Sequence, residues 1–428
     1  MNKELNISYN ILSKVCLDKS YVSIELNKYL NKGARDFNSS LVTKIVYGVL
    51  EKDIMLEYFV MQYVNKIPEP KFMILLKMVA YVSKAVNSIP DFALVNEIVK
   101  IAKTIDFHKS GFINAVSKKL ILNQIVLPSK QNYSKYLSVK YNYPVWVIEE
   151  LLKDHDKDFV TDLVSTELTS LTHIRVNEKV ISPNDFRDLL DKLNIKHEPS
   201  YYDYTMYVDY AELLKHDELK DKYIVQGLPS VVTCNVLGAS TGKVLDVCAA
   251  PGGKSVYLAQ DNNVQVYACD IHAHRVELVK KYAKSANVKL TTFVQDATKT
   301  REEWLNAFDY VLCDVPCSNI GVSRKKPDVF LNKTLADVKT LAGLQYLILE
   351  NSAKYVKKGG ILQYSTCTIL ESENKAIIDK FLKKHQEFEL TAIDFGDINI
   401  SDKENTYTFY PNLTKTEGFF IGKLKRYE

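Results

Sequence analysis

Apolar residues recur at helical spacing through the first 127 positions. Tyr9, Leu12, Val15 and Cys16 form one stripe, and Leu41, Ile45, Val46, Val49 and Leu50 another, the pattern of helices that turn one face to a core. Pro68, Pro70 and Pro90 fall between the periodic segments, where a helix has to stop. Asp91, directly before Phe92-Ala-Leu-Val-Asn-Glu-Ile-Val, is the expected N-cap of the helix that follows. This first stretch reads as all-helical, and Leu127-Pro-Ser-Lys-Gln-Asn132 as a polar linker behind it.

From Tyr143-Pro-Val-Trp146 to about 222 the pattern mixes short helices (145–153, 185–193) with candidate strands (172–176, 205–208). From 223 onward, strand and helix periods alternate. Candidate strands are 243–247, 264–269, 290–294, 310–313 and 360–364, followed by a closing pair near 406–410 and 418–424. Five strands with helices between them imply a parallel sheet with right-handed crossovers, and the closing pair a hairpin edge. The expected architecture is multi-domain. It has an all-α domain over 1–130, a linker and small α+β domain over 131–222, and a Rossmann-like α/β domain over 223–428 with a mostly parallel seven-stranded sheet.

Composition bounds the class. The chain has 428 residues, 46% hydrophobic and 25% charged, as in soluble globular proteins. Seven cysteines (16, 234, 248, 269, 313, 317, 367) show no paired framework and no CxxC. That suits a reducing compartment, and no signal pattern or apolar run of 18 residues interrupts the chain; a cytoplasmic location is expected. The net charge of +4 is uneven. Residues 1–140 carry 20 Lys/Arg against 11 Asp/Glu, or +9, and the remainder −5. A basic first third points to a polyanionic partner, against the alternative of a solvated lysine-rich surface.

The stretch that carries chemistry is Val244-Leu-Asp-Val-Cys-Ala-Ala-Pro-Gly-Gly-Lys-Ser255. A buried strand breaks at a glycine turn and a helix starts near Ser255. Glycines allow close approach of a ligand to the backbone, and a helix N-terminus favours a polar or anionic group. The dinucleotide pattern Gly-x-Gly-x-x-Gly is absent. The next strand ends in Asp270, 18 residues after Gly252, where a carboxylate can take both hydroxyls of a ribose. Later strands end in Gln295-Asp-Ala297, Asp314-Val-Pro-Cys-Ser318 and Tyr364-Ser-Thr-Cys-Thr368. Ligands of such sheets bind at the carboxyl ends of the strands.

Ala249-Ala-Pro-Gly-Gly-Lys254 resembles the first motif of S-adenosylmethionine-dependent RNA cytosine methyltransferases. With the four strand-end acids (Asp246, Asp270, Asp296, Asp314) and the two strand-end cysteines, the chain resembles the Sun/RsmB family, bacterial enzymes that make 5-methylcytosine in small-subunit (16S) ribosomal RNA. The resemblance is strongest from Gln226 to the end. Lys44-Ile-Val-Tyr-Gly-Val49, Ile89-Pro-Asp91 and Ser110-Gly-Phe-Ile-Asn-Ala-Val116 resemble the NusB-like RNA-binding domain.

The resemblance implies a class I methyltransferase fold and S-adenosylmethionine as cofactor. It would be held by Cys248, Ala249, Ala250, Pro251, Gly252, Gly253, Lys254, Asp270, Asp296 and Asp314, with Asp296 accepting from the adenine amino group. Carbon 5 of cytosine is a poor nucleophile, and a thiolate adding to carbon 6 activates it. DNA enzymes attack with the cysteine of Pro-Cys, here Cys317; RNA enzymes of this family attack with that of Thr-Cys, here Cys367, while Cys317 aids product release. Asp314 would read the cytosine edge with Lys254 beside it. Arg324, Lys325 and Lys326 would face the RNA.

Departures are Asp-Val-Pro-Cys for the commoner Asp-Ala-Pro-Cys, Val329-Phe330 where the family has a Lys-aromatic pair, and Glu417 for Asp. No metal is expected, since Cys313 and Cys317 have no companion ligands nearby. Cys248 and Cys313 read as packing residues, although Cys248 also falls within the cofactor loop. His272 and His274 read as solvated, and Tyr201, Tyr202, Tyr204, Tyr207 and Tyr210 as packing rather than base-stacking. The expected partner is small-subunit ribosomal RNA, the expected state a monomer with no membrane contact. Two readings compete with this one: a non-catalytic RNA-binding assembly factor, and an enzyme acting on a cytosine of another RNA or of DNA.

Overall fold

The computed structural model describes residues 2–30 and 37–427. They form two compact units, one running to Ser165 and including Ser323–Lys333, the other comprising Thr166–Val322 and Thr334 onward.

The first unit is helical: α1 (Lys3–Leu17), α2 (Val22–Leu30), α3 (Ser39–Glu51), α4 (Asp53–Met61), α5 (Pro70–Ala85), α6 (Asp91–Ile105), α7 (Ser110–Leu122), α8 (Tyr133–Tyr141), α9 (Val145–Asp154) and α10 (Lys157–Ser165). Asn2 and Asn38 cap α1 and α3, each side-chain oxygen accepting from a backbone N–H three residues on. The periodic stripes face one core, in which Leu12, Ile45, Leu75 and Ile98 are fully buried. Pro70 opens α5, where its missing N–H costs nothing. Asp91 is not the N-cap of α6. Pro90 holds that position, and Asp91 lies in the first turn without a side-chain capping bond; the extended φ/ψ of a cap suits proline, and an acid in the first turn still meets the helix dipole favourably.

The division between units differs from the boundary expected at 130. The linker is irregular, but α8 to α10 pack with the helices before them. Asn142, in a left-handed conformation after α8, accepts from Ile54 N–H at 2.8 Å and donates to Leu50 O at 3.3 Å. It thereby satisfies backbone groups at the α3–α4 junction. The segment Ser323–Lys333 belongs to this unit as well: Phe330 packs on Tyr143 with ring centroids 5.2 Å apart, Leu331 joins the helical core and Asp328 accepts from Val22 N–H. The apolar side chains of Phe330 and Leu331 account for its placement.

The second unit begins with a small sheet: β1 (Thr172–Val176), α11 (Pro183–Lys192), β2 (His197–Pro199), β3 (Thr205–Val208), the single turn α12 (Tyr210–Leu213) and β4 (Tyr223–Val225), in the antiparallel order β2-β3-β1-β4. There follow α13 (Leu228–Leu237), β5 (Gly242–Asp246), α14 (Gly253–Leu258), β6 (Val264–Asp270), α15 (Ala273–Ser285), β7 (Thr291–Val294), β8 (Phe308–Asp314), α16 (Leu335–Ala353), β9 (Val356–Thr366), α17 (Lys375–Leu382), β10 (Phe388–Leu390), β11 (Ser401–Lys403), β12 (Thr406–Phe409), α18 (Pro411–Thr414) and β13 (Phe419–Arg426).

Strands β5 to β9 are parallel in the order β7-β6-β5-β8-β9, and β13, β12 and β11 continue the sheet antiparallel. Among the described residues the sheet has nine strands rather than seven. The additional β10 and β11 have three residues each, too short to show a period of two, and extend an antiparallel edge. Leu245, Val311, Leu362 and Phe420 pack between sheet and helices with no more than 1% of their surface exposed. Burying one such side chain is worth about 1.5–3 kcal/mol.

The tyrosine cluster joins the two sheets. Tyr204 and Tyr257 hydroxyls bond at 2.8 Å, Tyr202 stacks on Tyr204, and the Tyr201 hydroxyl donates to Phe395 O. Among the described residues no helix is long and apolar enough to cross a membrane.

Candidate active site

The parallel order of β5, β6, β8 and β9 brings their carboxyl ends to one edge, and the acids and cysteines lie there. After β5 the chain turns through a cis Ala250–Pro251 bond and Gly252, at φ +116°. A Cβ on Gly252 would stand 3.2 Å from Val279 Cα, so both conformation and packing require glycine. The helix behind this loop, α14, has only six residues and starts at Gly253, two before the expected position.

Asp246 ends β5 fully buried, one oxygen accepting from the Ser255 hydroxyl at 2.6 Å. Its other oxygen is buried as well. Burial pushes its pKa up to about 7; the nearby Asp314 adds to the rise, and the Ser255 hydroxyl, Lys254 and the Cys248 backbone N–H pull it back. Asp270, at the end of β6 and 3% exposed, accepts from His272 N–H at 3.1 Å and faces the Arg275 guanidinium at 3.3 Å. Arg275 also donates to Ala250 O, tying that acid to the glycine loop. Asp296 accepts from Thr298 N–H and hydroxyl, which hold its pKa below the usual range.

Lys254 and Asp314 meet across the edge at 2.7 Å. Burial alone would lower the Lys254 pKa, but Asp314 outweighs it and the ammonium stays charged. The other oxygen of Asp314 accepts from Ser365 at 2.8 Å, and the Lys254 ammonium lies 5.4 Å over the Phe419 ring.

Asp314 and Ser365 are register partners on β8 and β9. Cys317 lies three residues beyond the first and Cys367 two beyond the second, so the two side chains converge, Sγ to Sγ at 2.9 Å. Cys367 N–H reaches Cys317 Sγ at 3.3 Å, and the Cys367 thiol donates to Asn319 Oδ1 at 2.8 Å. Cys317 is buried and Cys367 half-buried; both are free thiols. Burial, then the second thiol and the Glu373 carboxylate, raise the Cys317 pKa well above the ordinary value, which keeps its proton on. Gly321 N–H donates to Cys367 O, and Gly418 N–H to Gly321 O, closing the loop over both cysteines.

The edge therefore collects Asp246, the glycine loop with Cys248, Lys254, Asp270, Asp314, Cys317 and Cys367. Cys248 and Cys313 are held protonated by burial, as packing residues are. Of the basic loop, Arg324 is committed to packing: its guanidinium donates to Val164 O and lies 5.1 Å over Tyr143, while Lys325 and Lys326 are exposed. Among the described residues no three His, Cys, Asp or Glu side chains are grouped to hold a metal.

Several residues of the site escape a reading by motif. Asn319 and Ser365 lie within two residues of a cysteine and could have been found by proximity. Arg275, Glu373 and Asn374 look like ordinary helix and loop polar residues. Arg175 reads as a surface residue of β1, yet it is 1% exposed and donates to the side-chain oxygens of Gln226 and Gln260, each at 2.7 Å. It ties the small sheet to the end of α14.

Residues 237–425 match the family described as 16S rRNA methyltransferase RsmB/F, and residues 5–122 match the NusB family. The chain is 28% identical over 449 residues to a probable ribosomal RNA small subunit methyltransferase B of Bacillus subtilis, covering 98% of each chain. It is 30% identical over 410 residues to ribosomal RNA small subunit methyltransferase B of Photorhabdus laumondii, covering 93% of this chain and 92% of that one. Among solved structures, PH0851 shares the fold over 100% of this chain and 99% of its own (TM-score 0.84, 24% identity). The NSun6 structure from Pyrococcus horikoshii shares it over 71% of this chain and 99% of its own (TM-score 0.55, 22% identity). With a strand-end thiol pair, a glycine loop and full-length relatives in agreement, the chain belongs to the RsmB/F family of 16S rRNA methyltransferases.

Proposed function

We propose that this protein methylates carbon 5 of a cytosine in small-subunit ribosomal RNA through a covalent bond between Cys367 and the base. The observation that carries the reading is the pair of free thiols 2.9 Å apart beside the Lys254–Asp314 ion pair. Methylation of an amino group needs neither thiol.

The cofactor is S-adenosylmethionine, and the site fits it: the Asp270 carboxylate lies at the end of β6 beside the glycine loop, to which Arg275 ties it, and Gly252 leaves room at the turn where a Cβ would collide. When bound, this cofactor supplies a methyl group on a sulfonium. Asp270 would hold the ribose hydroxyls and Asp296 the adenine amino group. Residues Cys248, Ala249, Ala250, Pro251, Gly252 and Gly253 would line it.

Asp314 would accept from the exocyclic amino group of a flipped cytosine, with the Lys254 ammonium beside it for the ring nitrogen. A base takes the Cys367 thiol proton, the thiolate adds to carbon 6, and the electron pair of the 5,6 double bond moves to carbon 5. Carbon 5 takes the methyl group. A base then removes the carbon-5 proton, the 5,6 double bond re-forms, and the pair of the carbon–sulfur bond returns to Cys367. Cys317, which burial keeps protonated, is the poorer nucleophile and is assigned to the release step. The NusB-like helices, with the charge excess of the first third, form the docking module for the RNA, and the exposed Lys325 and Lys326 contact its phosphates.

The test maps 5-methylcytosine in ribosomal RNA made with wild-type, Cys367→Ala and Cys317→Ala protein. Cys367→Ala should give no product and no adduct. Cys317→Ala should accumulate a protein–RNA species that survives denaturing gels. Full methylation by Cys367→Ala would refute the thiol chemistry, and the reverse pattern of adducts would exchange the two roles.

A further inference from the structure

The two thiols stand on two loops that follow different strands, and two of the groups that hold these loops are adjacent in sequence. Glu373 is fully buried. Its carboxylate accepts from Ser318 N–H at 2.8 Å, from the Ser318 hydroxyl at 2.5 Å and from the Gln345 amide at 2.9 Å, all neutral donors. Gln345 donates at the same time to Pro316 O at 3.0 Å. The residues on both sides of Cys317 are thus gripped, one directly and one through Gln345.

Asn374, 2% exposed, accepts from the Thr366 hydroxyl at 2.6 Å and donates to Thr368 O at 3.1 Å. Those are the residues on both sides of Cys367. The two grips are joined by the Ser318 and Thr368 hydroxyls, 2.9 Å apart. A carboxylate buried among neutral donors is costly, and a residue needed only to fill space would be apolar. The three donors account for its presence, and their aim is the loop that carries Cys317.

We propose that Glu373 and Asn374 are positioning residues that divide the work between the thiols, Glu373 setting Cys317 for release and Asn374 setting Cys367 for attack. This rests on the two-thiol reading above. Displacement of a reacting group by about 1 Å can cost a hundredfold in rate, so loosening either grip should affect the step of the cysteine it holds.

The experiment compares Glu373→Gln and Asn374→Ala in the full-length protein, with RNA and S-adenosylmethionine, reading kcat, KM for RNA, cofactor affinity and the covalent species on denaturing gels. The glutamine keeps the shape of Glu373 and puts an N–H2 group against a donor. Glu373→Gln should lower kcat at least tenfold with KM within twofold and let the adduct accumulate, as Cys317→Ala does. Asn374→Ala should lower adduct formation at least tenfold, as Cys367→Ala does. Cofactor affinity should stay within twofold in both.

Should either variant fail to fold, Ser318→Ala and Thr366→Val each remove a single hydroxyl of the same grip, and the same division is expected at smaller amplitude. Wild-type adduct yield and lifetime in both variants, or an equal loss of adduct in both, would overturn the proposal. Cys367→Ala run in parallel separates the two levels. If it still methylates, the thiol reading itself falls; if it is inert and the clamp variants show no division, only the clamp falls.

Discussion

Asp246 offers a test of the site's electrostatics that needs neither RNA nor cofactor. Its carboxyl is buried at the end of β5, and its pKa rises from 3.8 to about 7. Between about pH 4 and pH 7 the native protein therefore binds this proton more tightly than the unfolded chain does. Stability attributable to Asp246 is greatest at low pH and falls as pH rises through that window. A tenfold change in proton affinity is worth about 1.4 kcal/mol, so the penalty grows by roughly 2.5 kcal/mol from pH 5 to pH 8 and then levels off. Asp246→Asn keeps an acceptor for the Ser255 hydroxyl and cannot ionise. Its stability relative to wild type should rise by about that amount between the two pH values. The chain has two tryptophans, and Trp304 is buried in the core of the second unit. Urea unfolding followed by its fluorescence, in a Trp146→Phe background, reports on that unit alone. A gap between variant and wild type that stays constant within about 0.5 kcal/mol from pH 5 to pH 8 would show that Asp246 is ionised in the native state at both, and the electrostatic reading would fail.

Asp270→Ala should weaken S-adenosylmethionine binding at least tenfold, since two charge-assisted hydrogen bonds are worth about 1.5 kcal/mol or more each; unchanged affinity by calorimetry would remove Asp270 from the site. Gly321→Ala would drive a Cβ into Gly418 O and place it 2.9 Å from Cys367 O, both backbone atoms that cannot rotate away. Overpacking of this kind costs about 1–3 kcal/mol, and methyl transfer should drop at least tenfold with cofactor affinity retained. Activity within twofold of wild type would mean that the crossing of the two loops yields without moving the thiols.

What is legible in the sequence is whatever has a short-range signature. The glycine turn, the five parallel strands and the acids and cysteines at their ends are each written in a few consecutive residues, and the strands stand close to where alternation places them. The end of the helical unit is not legible. Asn142 reads as a loop residue, and only the fold shows its amide completing the α3–α4 junction. The basic turn at 324–326 reads as a surface feature throughout. Its first residue is instead a packing group, because Phe330 and Leu331 a few positions later draw the segment into a core whose other members lie hundreds of positions earlier. Arg175 and Glu373 leave no local trace for a related reason. A charged residue on a strand or in a loop is ordinarily solvated, and nothing nearby in sequence announces that the partners covering it are amides and hydroxyls from distant elements.

The same distinction between local and distant signals bears on the assignment of the two thiols. Position in the sequence offers both Cys317 and Cys367 for attack, since each follows a strand end, and only the family resemblance points to Cys367. Their environments are not equivalent. Cys317 lies 5% exposed beneath the Gly321–Gly418 crossing, with its sulfur receiving the Cys367 N–H and the Glu373 carboxylate nearby. Cys367 is half-buried and directs its thiol to Asn319, a neutral acceptor. A nucleophile has to be reached by its substrate and to give up a proton. A group that acts only after the covalent bond has formed can stay covered and protonated until then. The difference in burial supports the proposed attack by Cys367 on grounds independent of the family motif, and the adduct experiment tests that proposal directly.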